Sequence, residues 1–326
     1  MQENQPSRIT GIGNVLVDVL INESDRFLSD LGKEKGGMTL VDNQDIETIL
    51  TRTDQRPQVV PGGACCNTIL GVGMLGGDAR FIGNRGNDDF GNLFENSLKS
   101  CGVDPRISMS GSPTGKALSV ITPDAQRSMF TFLGASVELA PGMVTPDLFE
   151  NTAIAMIEGY LLFNPELMTA AVNAAKSAGA SIAVDLASFE VVNASKDILD
   201  RIVKDDVDIL IANEDEALAF TGHEDEQLAL EALSEHVTYG VLKVGKRGSF
   251  ICHGGHITQI NPVSGKDAVD TTGAGDLWAA GFLYGIAHGL SVEHSGALGS
   301  ACGYEVCQVI GAQIPEAGWH RIKDLL

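Results

Sequence analysis

The apolar residues of the N-terminal part fall into short alternating runs. From Ile9 to Asn22 the chain reads Ile-Thr-Gly-Ile-Gly-Asn-Val-Leu-Val-Asp-Val-Leu-Ile-Asn, with Val15, Val17 and Val19 alternating with Leu16, Asp18 and Leu20. A period of two predicts one strand-like run and sets a carboxylate, Asp18, inside an otherwise apolar element. Ala117 to Ile121 and Ser128 to Leu133 predict two more strands, joined by the polar turn Thr122-Pro123-Asp124-Ala125-Gln126-Arg127. The first stretch, to about residue 135, is therefore expected to be rich in strands and turns.

Past about residue 150 the rhythm changes to alternating strands and helices. Short apolar strands are expected at Ala153–Ile157, Ser181–Asp185, Asp208–Ala212 and Tyr239–Val244. Helices are expected at Pro165–Gly179, Val192–Val203, Glu214–Phe220, Glu224–His236 and Ser295–Cys307, the first ending on glycine. Ser249–Cys252 and His256–Ile260 flank His253-Gly254-Gly255, a hairpin signal. Short strands between helices imply an α/β fold with a doubly wound, mostly parallel sheet and helices on both faces. Ligands on such sheets bind beyond the strand C-termini. The chain has no repeat, low-complexity tract or Pro/Ser-rich linker, so residues 1–326 are expected to form a single domain.

Composition narrows the partners. With 43 acidic and 22 basic residues the formal net charge is -21, which argues against nucleic acid or an anionic membrane, since both are bound by clustered Lys and Arg. A nucleotide is still compatible, because backbone amides and a metal ion can hold phosphates locally. No run reaches the ~18 apolar residues of a membrane helix. The N-terminal Met-Gln-Glu-Asn-Gln-Pro-Ser-Arg has no apolar signal core. The six cysteines lack CxxC spacing, so reduced thiols and a cytoplasmic location are expected.

The most informative stretch is Val269-Asp270-Thr271-Thr272-Gly273-Ala274-Gly275-Asp276-Leu277-Trp278-Ala279-Ala280-Gly281-Phe282. Thr-Thr-Gly offers a helix N-cap, and small residues at 273–275 admit a ligand close to the backbone. The first-turn amides and the positive dipole end make an anion site, with Asp276 placed beside the anion. A second glycine-rich loop, Gly62-Gly63-Ala64-Cys65-Cys66-Asn67, again enters a helix; Asn67 reads either as a sugar-hydroxyl ligand or as a turn residue. Asn213-Glu214-Asp215-Glu216 follows a strand. Asn213 and Glu216 share a helix face, as oxygen ligands for hydrated Mg²⁺ or as a helix cap. Lys243-Val244-Gly245-Lys246-Arg247-Gly248 closes another strand, as a phosphate clasp or a tight turn. Gly11-Ile12-Gly13 lacks the third glycine of a dinucleotide loop, position 16 being Leu. Cys252-His253-Gly254-Gly255-His256 reads as a turn rather than a metal site.

With Gly62-Gly63…Asn67, Asn213…Glu216 and Asp270-Thr271-Thr272-Gly273-Ala274-Gly275-Asp276 in this order, the chain resembles the ribokinase/PfkB family of sugar and nucleoside kinases. Gly76-Gly77 and Phe81-Ile82-Gly83…Gly86…Asp88…Gly91 add to the likeness, which spans roughly residues 8 to 315. Gly13–Leu20, Lys35–Asp42 and Thr122–Met129 look most like bacterial adenosine-kinase-like members.

The resemblance implies a ribokinase-like fold with a small β-rich lid built from segments near 14–22, 36–42 and 104–134. It implies transfer of the γ-phosphoryl of ATP to a primary alcohol, with Asp276 as base and Gly273, Ala274 and Gly275 as the anion hole. Asn14, Asp18, Gly62, Gly63 and Asn67 would meet the acceptor. Asn213, Lys243, Gly245, Gly248 and Thr271 would lie along ATP. Asn213 and Glu216 would organise Mg²⁺ through water, and Asp270 and Thr272 are the expected place for K⁺. Arg127 would sit on the lid and approach the phosphates. Cys65-Cys66 and Arg85 depart from common family residues beside the acceptor.

The acceptor stays open between adenosine or another nucleoside, ribose, fructose and ketodeoxygluconate. Asp18 suits a neutral polyol better than a sugar acid. The alternatives are a sugar kinase of ribokinase, fructokinase or ketodeoxygluconate kinase type, or a non-catalytic sugar- or nucleoside-binding protein on the same fold. Monomer and homodimer through the lid are both open.

Overall fold

The computed structural model describes residues 6–32, 35–124 and 126–326. Met1 to Gln5, read above for a signal core, and Ala125 of the expected turn lie outside the described residues. In chain order the strands are β1 (Arg8–Ile12), β2 (Leu16–Asn22), β3 (Met38–Leu40), β4 (Gln58–Gly62), β5 (Ala79–Gly86), β6 (Val103–Ser110) and β7 (Gly115–Ile121). They continue with β8 (Arg127–Phe132), β9 (Thr152–Glu158), β10 (Ser181–Asp185), β11 (Ile209–Asn213), β12 (Tyr239–Lys243), β13 (Ser249–His253) and β14 (His256–Ile260).

Nine strands form one sheet in the order β14-β13-β12-β11-β10-β9-β1-β5-β6. All neighbours from β6 to β12 are parallel, and β13 alone runs the other way, antiparallel to both β12 and β14. Both faces of the central strands are covered, which is why β9, β10 and β11 are near-continuous apolar runs, while the edge strands β6 and β14 carry polar residues. Successive residues feed opposite cores: Ile209, Ile211 and Val241 pack on one side, Leu210, Ala212 and Leu242 on the other. On the first side the Ala274–Ala287 and Val292–Val306 helices approach closely, because a Cβ on Gly281 would lie 2.6 Å from the Leu298 carbonyl carbon. Gly254 and Gly255, both with positive φ, make the expected hairpin turn between β13 and β14.

A second sheet of five strands has the order β3-β8-β7-β2-β4 and fits the expected lid. Its composition differs from expectation in three ways. The run from Ile9 to Asn22 is two strands in two sheets, broken over 13–15, where the backbone passes so close to Glu158 that a Cβ on Gly13 would lie 2.3 Å from its Oε2. The segment 104–134 divides. Val103–Ser110 pairs with β5 in the large sheet, and only β7 and β8 join the small one. Gln58–Gly62, not expected there, pairs antiparallel with β2. One helix expectation also changes: Val192–Val203 is two helices, Phe189–Ala194 and Lys196–Asp205, meeting at Ser195, whose hydroxyl donates to the Leu162 carbonyl at 3.4 Å.

Candidate active site

Four adjacent parallel strands end on polar side chains at one edge of the large sheet: Glu158 on β9, Asp185 on β10, Asn213 on β11 and Lys243 on β12. Register sets Asp185 beside Glu158 and Asn213 beside Lys243. Polar residues appear where each strand leaves the sheet, the position at which α/β sites form. Lys243 Nζ donates to Asp185 Oδ2 at 2.7 Å, with both side chains about 15% exposed. Burial works against the Lys243 charge, but Asp185, Glu216 and Asp276 outweigh it and hold its pKa above the ordinary value.

Asn213 and Glu216 form a reciprocal cap on the Glu214–Thr221 helix. Asn213 N and Nδ2 donate to the two Glu216 oxygens at 2.8 and 2.7 Å, and Glu216 N donates to Asn213 Oδ1 at 2.9 Å. Burial, reinforced by Asp185, pushes the Glu216 carboxyl up. These are hard oxygen donors, suited to Mg²⁺ through water. Among the described residues no group of three His, Cys, Asp or Glu is arranged to enclose a metal. An ion here would take its remaining ligands from water and phosphate.

The Ala274–Ala287 helix begins beside this row. Its N-cap is Gly273, at φ 73°, with no side-chain hydrogen bond to the helix. Thr272 does not cap it as expected; its hydroxyl donates to Asp270 Oδ1 at 2.9 Å. The first turn is thus left without a side-chain cap, and a Cβ on Gly275 would lie 3.0 Å from Lys243 Nζ. Helix dipole, amides and ammonium converge on one point, a cradle for an anion. A cavity of about 890 Å³ opens from it. Asn213, Lys243, Gly245, Gly248 and Thr271, the residues expected along a nucleotide, all line this cavity, with Ala274, Gly275 and an apolar wall of Pro262, Val263 and Trp278.

Asp276 faces the small sheet's side of the same helix turn. Asn67 Nδ2 donates to Asp276 Oδ2 at 2.9 Å, and the Thr68 hydroxyl donates to the Asp276 carbonyl at 3.1 Å. The two glycine-rich loops, 209 residues apart, are thereby joined. Burial lifts the Asp276 carboxyl to about 6; the Asn67 hydrogen bond and Lys243 oppose the rise and Asp185 adds to it. Asp18 lies close enough to feel Asp276: burial raises it to about 7, Arg127 pulls it down and Asp276 pushes it further up.

The remaining acceptor candidates gather here. Gly62 pairs with Leu16, and a Cβ on it would lie 2.3 Å from Asp18 Oδ1. Gly63, at φ 94°, would put a Cβ 2.9 Å from the Asn14 carbonyl oxygen. Asn14 Nδ2 donates to Glu158 Oε1 at 2.8 Å.

Sequence reasoning did not single out Glu158 or Asp185. Glu158 is buried, accepts from the Asn14 and Cys65 amides at 3.3 Å each, and is driven by burial to about 7. Both residues are charges at the C-terminus of an expected apolar strand, and that was the available signal. Arg85, expected beside the acceptor, instead turns to Glu95 and the Gly86 carbonyl. Cys66 does lie near Asp18, whose charge, after burial, raises its thiol pKa. Gly11 makes room for Ile69 and Cys65 side chains, a packing role. Arg127 reaches Asp270 rather than open space.

Comparison with known proteins gives the family and the fold. The profile of the pfkB family carbohydrate kinases matches residues 37–317. The chain is 26% identical over 333 residues to adenosine kinase of Saccharomyces cerevisiae, covering 93% of this chain and 96% of that protein. Its fold is similar to that of a crystal structure from Rhizobium etli CFN 42 described as a probable sugar kinase, with a TM-score of 0.90 and 30% identity over 99% of this chain and 100% of the other. It is also similar to adenosine kinase from Sinorhizobium meliloti, with a TM-score of 0.88 and 31% identity over 98% and 99% of the two chains. No helix among the described residues is long and apolar enough to cross a membrane. The protein belongs to the pfkB family of carbohydrate kinases and is a sugar or nucleoside kinase.

Proposed function

We propose that the protein transfers the γ-phosphoryl of ATP to a primary hydroxyl of a nucleoside of the adenosine type. The observation that carries this reading is the position of one helix turn between two sites. The uncapped amides and Lys243 face the 890 Å³ cavity, while Asp276, tied to Asn67, faces Asp18 and the small sheet. A phosphate chain lying in the cavity would end at the helix N-terminus, one residue from a carboxylate raised to about 6. In this reading Gly273, Ala274 and Gly275 bind the transferring group, and Asp276 orients the acceptor hydroxyl and takes its proton late.

Asn213, Gly245, Gly248 and Thr271 hold the nucleotide. Lys243, aimed by Asp185, neutralises charge on its terminal phosphates. Asn14, Asp18, Gly62, Gly63 and Asn67 form the acceptor wall, and Glu158 fixes Asn14. Mg²⁺ near Asn213 and Glu216 would supply further charge neutralisation on the phosphates. Closure of the small sheet would exclude water and suppress ATP hydrolysis.

Similarity to adenosine kinases over nearly the whole chain favours the nucleoside. A second reading, a sugar acceptor, is favoured by the equally extensive similarity to the Rhizobium etli protein. An ADP-release screen with nucleosides and neutral sugars separates them. Turnover on adenosine that is lost in Asp276→Asn is the expected outcome. Turnover on a sugar alone moves the assignment to the second reading. Tight acceptor binding by calorimetry with no ADP formed would make the protein a binder.

A further inference from the structure

The Asp270 carboxylate, the expected ligand for a monovalent cation, is already surrounded by donors. A carboxylate offers about four lone-pair directions. Oδ1 accepts from Thr272 N at 3.1 Å and from the Thr272 hydroxyl at 2.9 Å. Oδ2 accepts from Gly311 N at 2.7 Å and from Arg127 Nη2. The ion pair is well covered, with Arg127 16% and Asp270 12% exposed. A K⁺ on this carboxylate would stand against a guanidinium and would have to displace an N–H donor. The donor set does not fit the cation.

The Arg127 contact crosses from the small sheet to the turn before the Ala274–Ala287 helix. Arg127 opens β8 of the small sheet, whereas Asp270 starts the turn that leads to the helix N-cap at Gly273. The small sheet touches the same place a second time. A Cβ on Gly311 would sit 3.7 Å from Leu20 Cδ1 of β2, and Gly311 itself has φ 85°. On its far side the turn hangs from the Val292–Val306 helix, with Val269 N and Asp270 N donating to the Cys307 carbonyl at 2.8 and 3.4 Å. The turn is thus pinned at its back by a helix and at its front by Arg127.

We propose that Arg127 is a positioning residue that docks the closed small sheet on Asp270 and fixes the turn carrying the anion cradle, in place of a monovalent cation, so that turnover does not require K⁺. A fixed guanidinium is always charged and presents several donors in one plane, so it holds a carboxylate with defined geometry where a cation would be exchangeable. The consequence is coupling: the cradle is ordered when the small sheet is down over the acceptor. The inference rests on the kinase reading for its kinetic arm only.

Two measurements on the full-length protein test it. First, ADP release is followed at equal ionic strength in KCl, NaCl and choline chloride. Wild-type kcat should agree within about twofold across the salts, while Arg127→Gln should lower kcat by about 10²-fold, the scale of an ångström-level misplacement. The KM for ATP should change far less than kcat. Guanidinium should restore part of the lost rate, and Arg127→Lys should fall between the two. Second, hydrogen exchange without substrate is read on peptides covering 268–274 and 308–312. Arg127→Gln and Asp270→Asn should speed exchange in both peptides, and K⁺ should not slow it in the wild type. Exchange does not depend on the base or the acceptor, so it reads the latch even if no acceptor is phosphorylated. A tenfold stimulation of wild-type turnover by K⁺ would overturn the proposal, as would unchanged exchange and kcat in Arg127→Gln.

Discussion

Replacing Asp276 by Asn should make the protein more stable above pH 6 while removing turnover. Asp276 is raised from 3.8 to about 6, with burial as the largest cause. The difference of about 2, at 1.36 kcal/mol for each, is about 3 kcal/mol that the folded state loses when this carboxylate is ionised. The sign follows from the direction. The folded pKa lies above the unfolded one, so folding binds the proton more tightly and the penalty is complete above about pH 6. It shrinks as pH falls and nearly vanishes near 4.

Asn is isosteric, and its amide oxygen can still accept from Asn67 Nδ2, so the hydrogen bond survives the change. The favourable attraction of Lys243 is already counted within the net shift. For 326 residues the entropy of unfolding is about 0.7 kcal/mol/K, so 3 kcal/mol corresponds to roughly 4 °C in Tm. Thermal unfolding of both proteins without ligand, from pH 8 to pH 5, should show the variant ahead by that margin at pH 8 and by about half of it at pH 5. A variant less stable than wild type at pH 8, or a margin that does not change with pH, refutes burial of an ionised Asp276. In the same preparation kcat should fall by at least 10²-fold, the contribution of a positioned base.

Other consequences are local. With Asp276 as base, kcat/KM should fall as pH drops through about 6, and more steeply than for one proton because Asp18 and Glu158 protonate near 7; a flat profile from pH 8 to 5 would exclude the assignment. Gly62→Ala puts a methyl 2.3 Å from Asp18 Oδ1, so the acceptor KM should rise at least tenfold while calorimetric ATP affinity stays unchanged. Lys243→Ala removes the ammonium from the Gly275 cradle and should weaken ATP binding by one to two orders of magnitude, the scale of a charge-assisted hydrogen bond; equal affinity would mean that the triphosphate lies elsewhere.

The parallel sheet was legible because both of its faces are buried. β9 to β12 are short apolar runs separated by helices, and the sequence pattern locates each within a residue or two. The small sheet was harder to read. β2 alternates only over its first residues and β4, Gln-Val-Val-Pro-Gly, not at all, and no local pattern says which sheet a strand joins. Residues 9–22 therefore read as one strand, since the neighbour met where the run breaks is Glu158, 145 residues after Gly13. Asp276, Asn67, Asn213 and Lys243 could be singled out because each stands in a loop-to-helix or strand-to-loop signature. Asp185 and Glu158 could not, since each is a single charge at the end of an apolar run. The Arg127–Asp270 pair joins residues 143 apart and has no sequence signature at all.

The glycines of the site carry a different physical meaning from the one their sequence context suggests. Read along the chain, a glycine beside a helix start means close approach of a ligand to the backbone. In the fold, three of them leave room for charged side chains of this same chain: Gly13 for Glu158, Gly62 for Asp18 and Gly275 for Lys243. A methyl at the first two would meet a carboxylate oxygen at 2.3 Å, closer than any relaxed contact allows. Glu158 is buried and Asp18 and Lys243 half-buried against backbone, and the lost hydration raises the two carboxyls to about 7. Glycine there sets the protonation of the site as much as its shape. It follows that alanine at 13 or 62 would expel a carboxylate toward solvent and return its pKa toward the ordinary range, so in such variants the acid limb should become less steep, keeping the fall through about 6 set by Asp276, together with a loss of affinity for the acceptor.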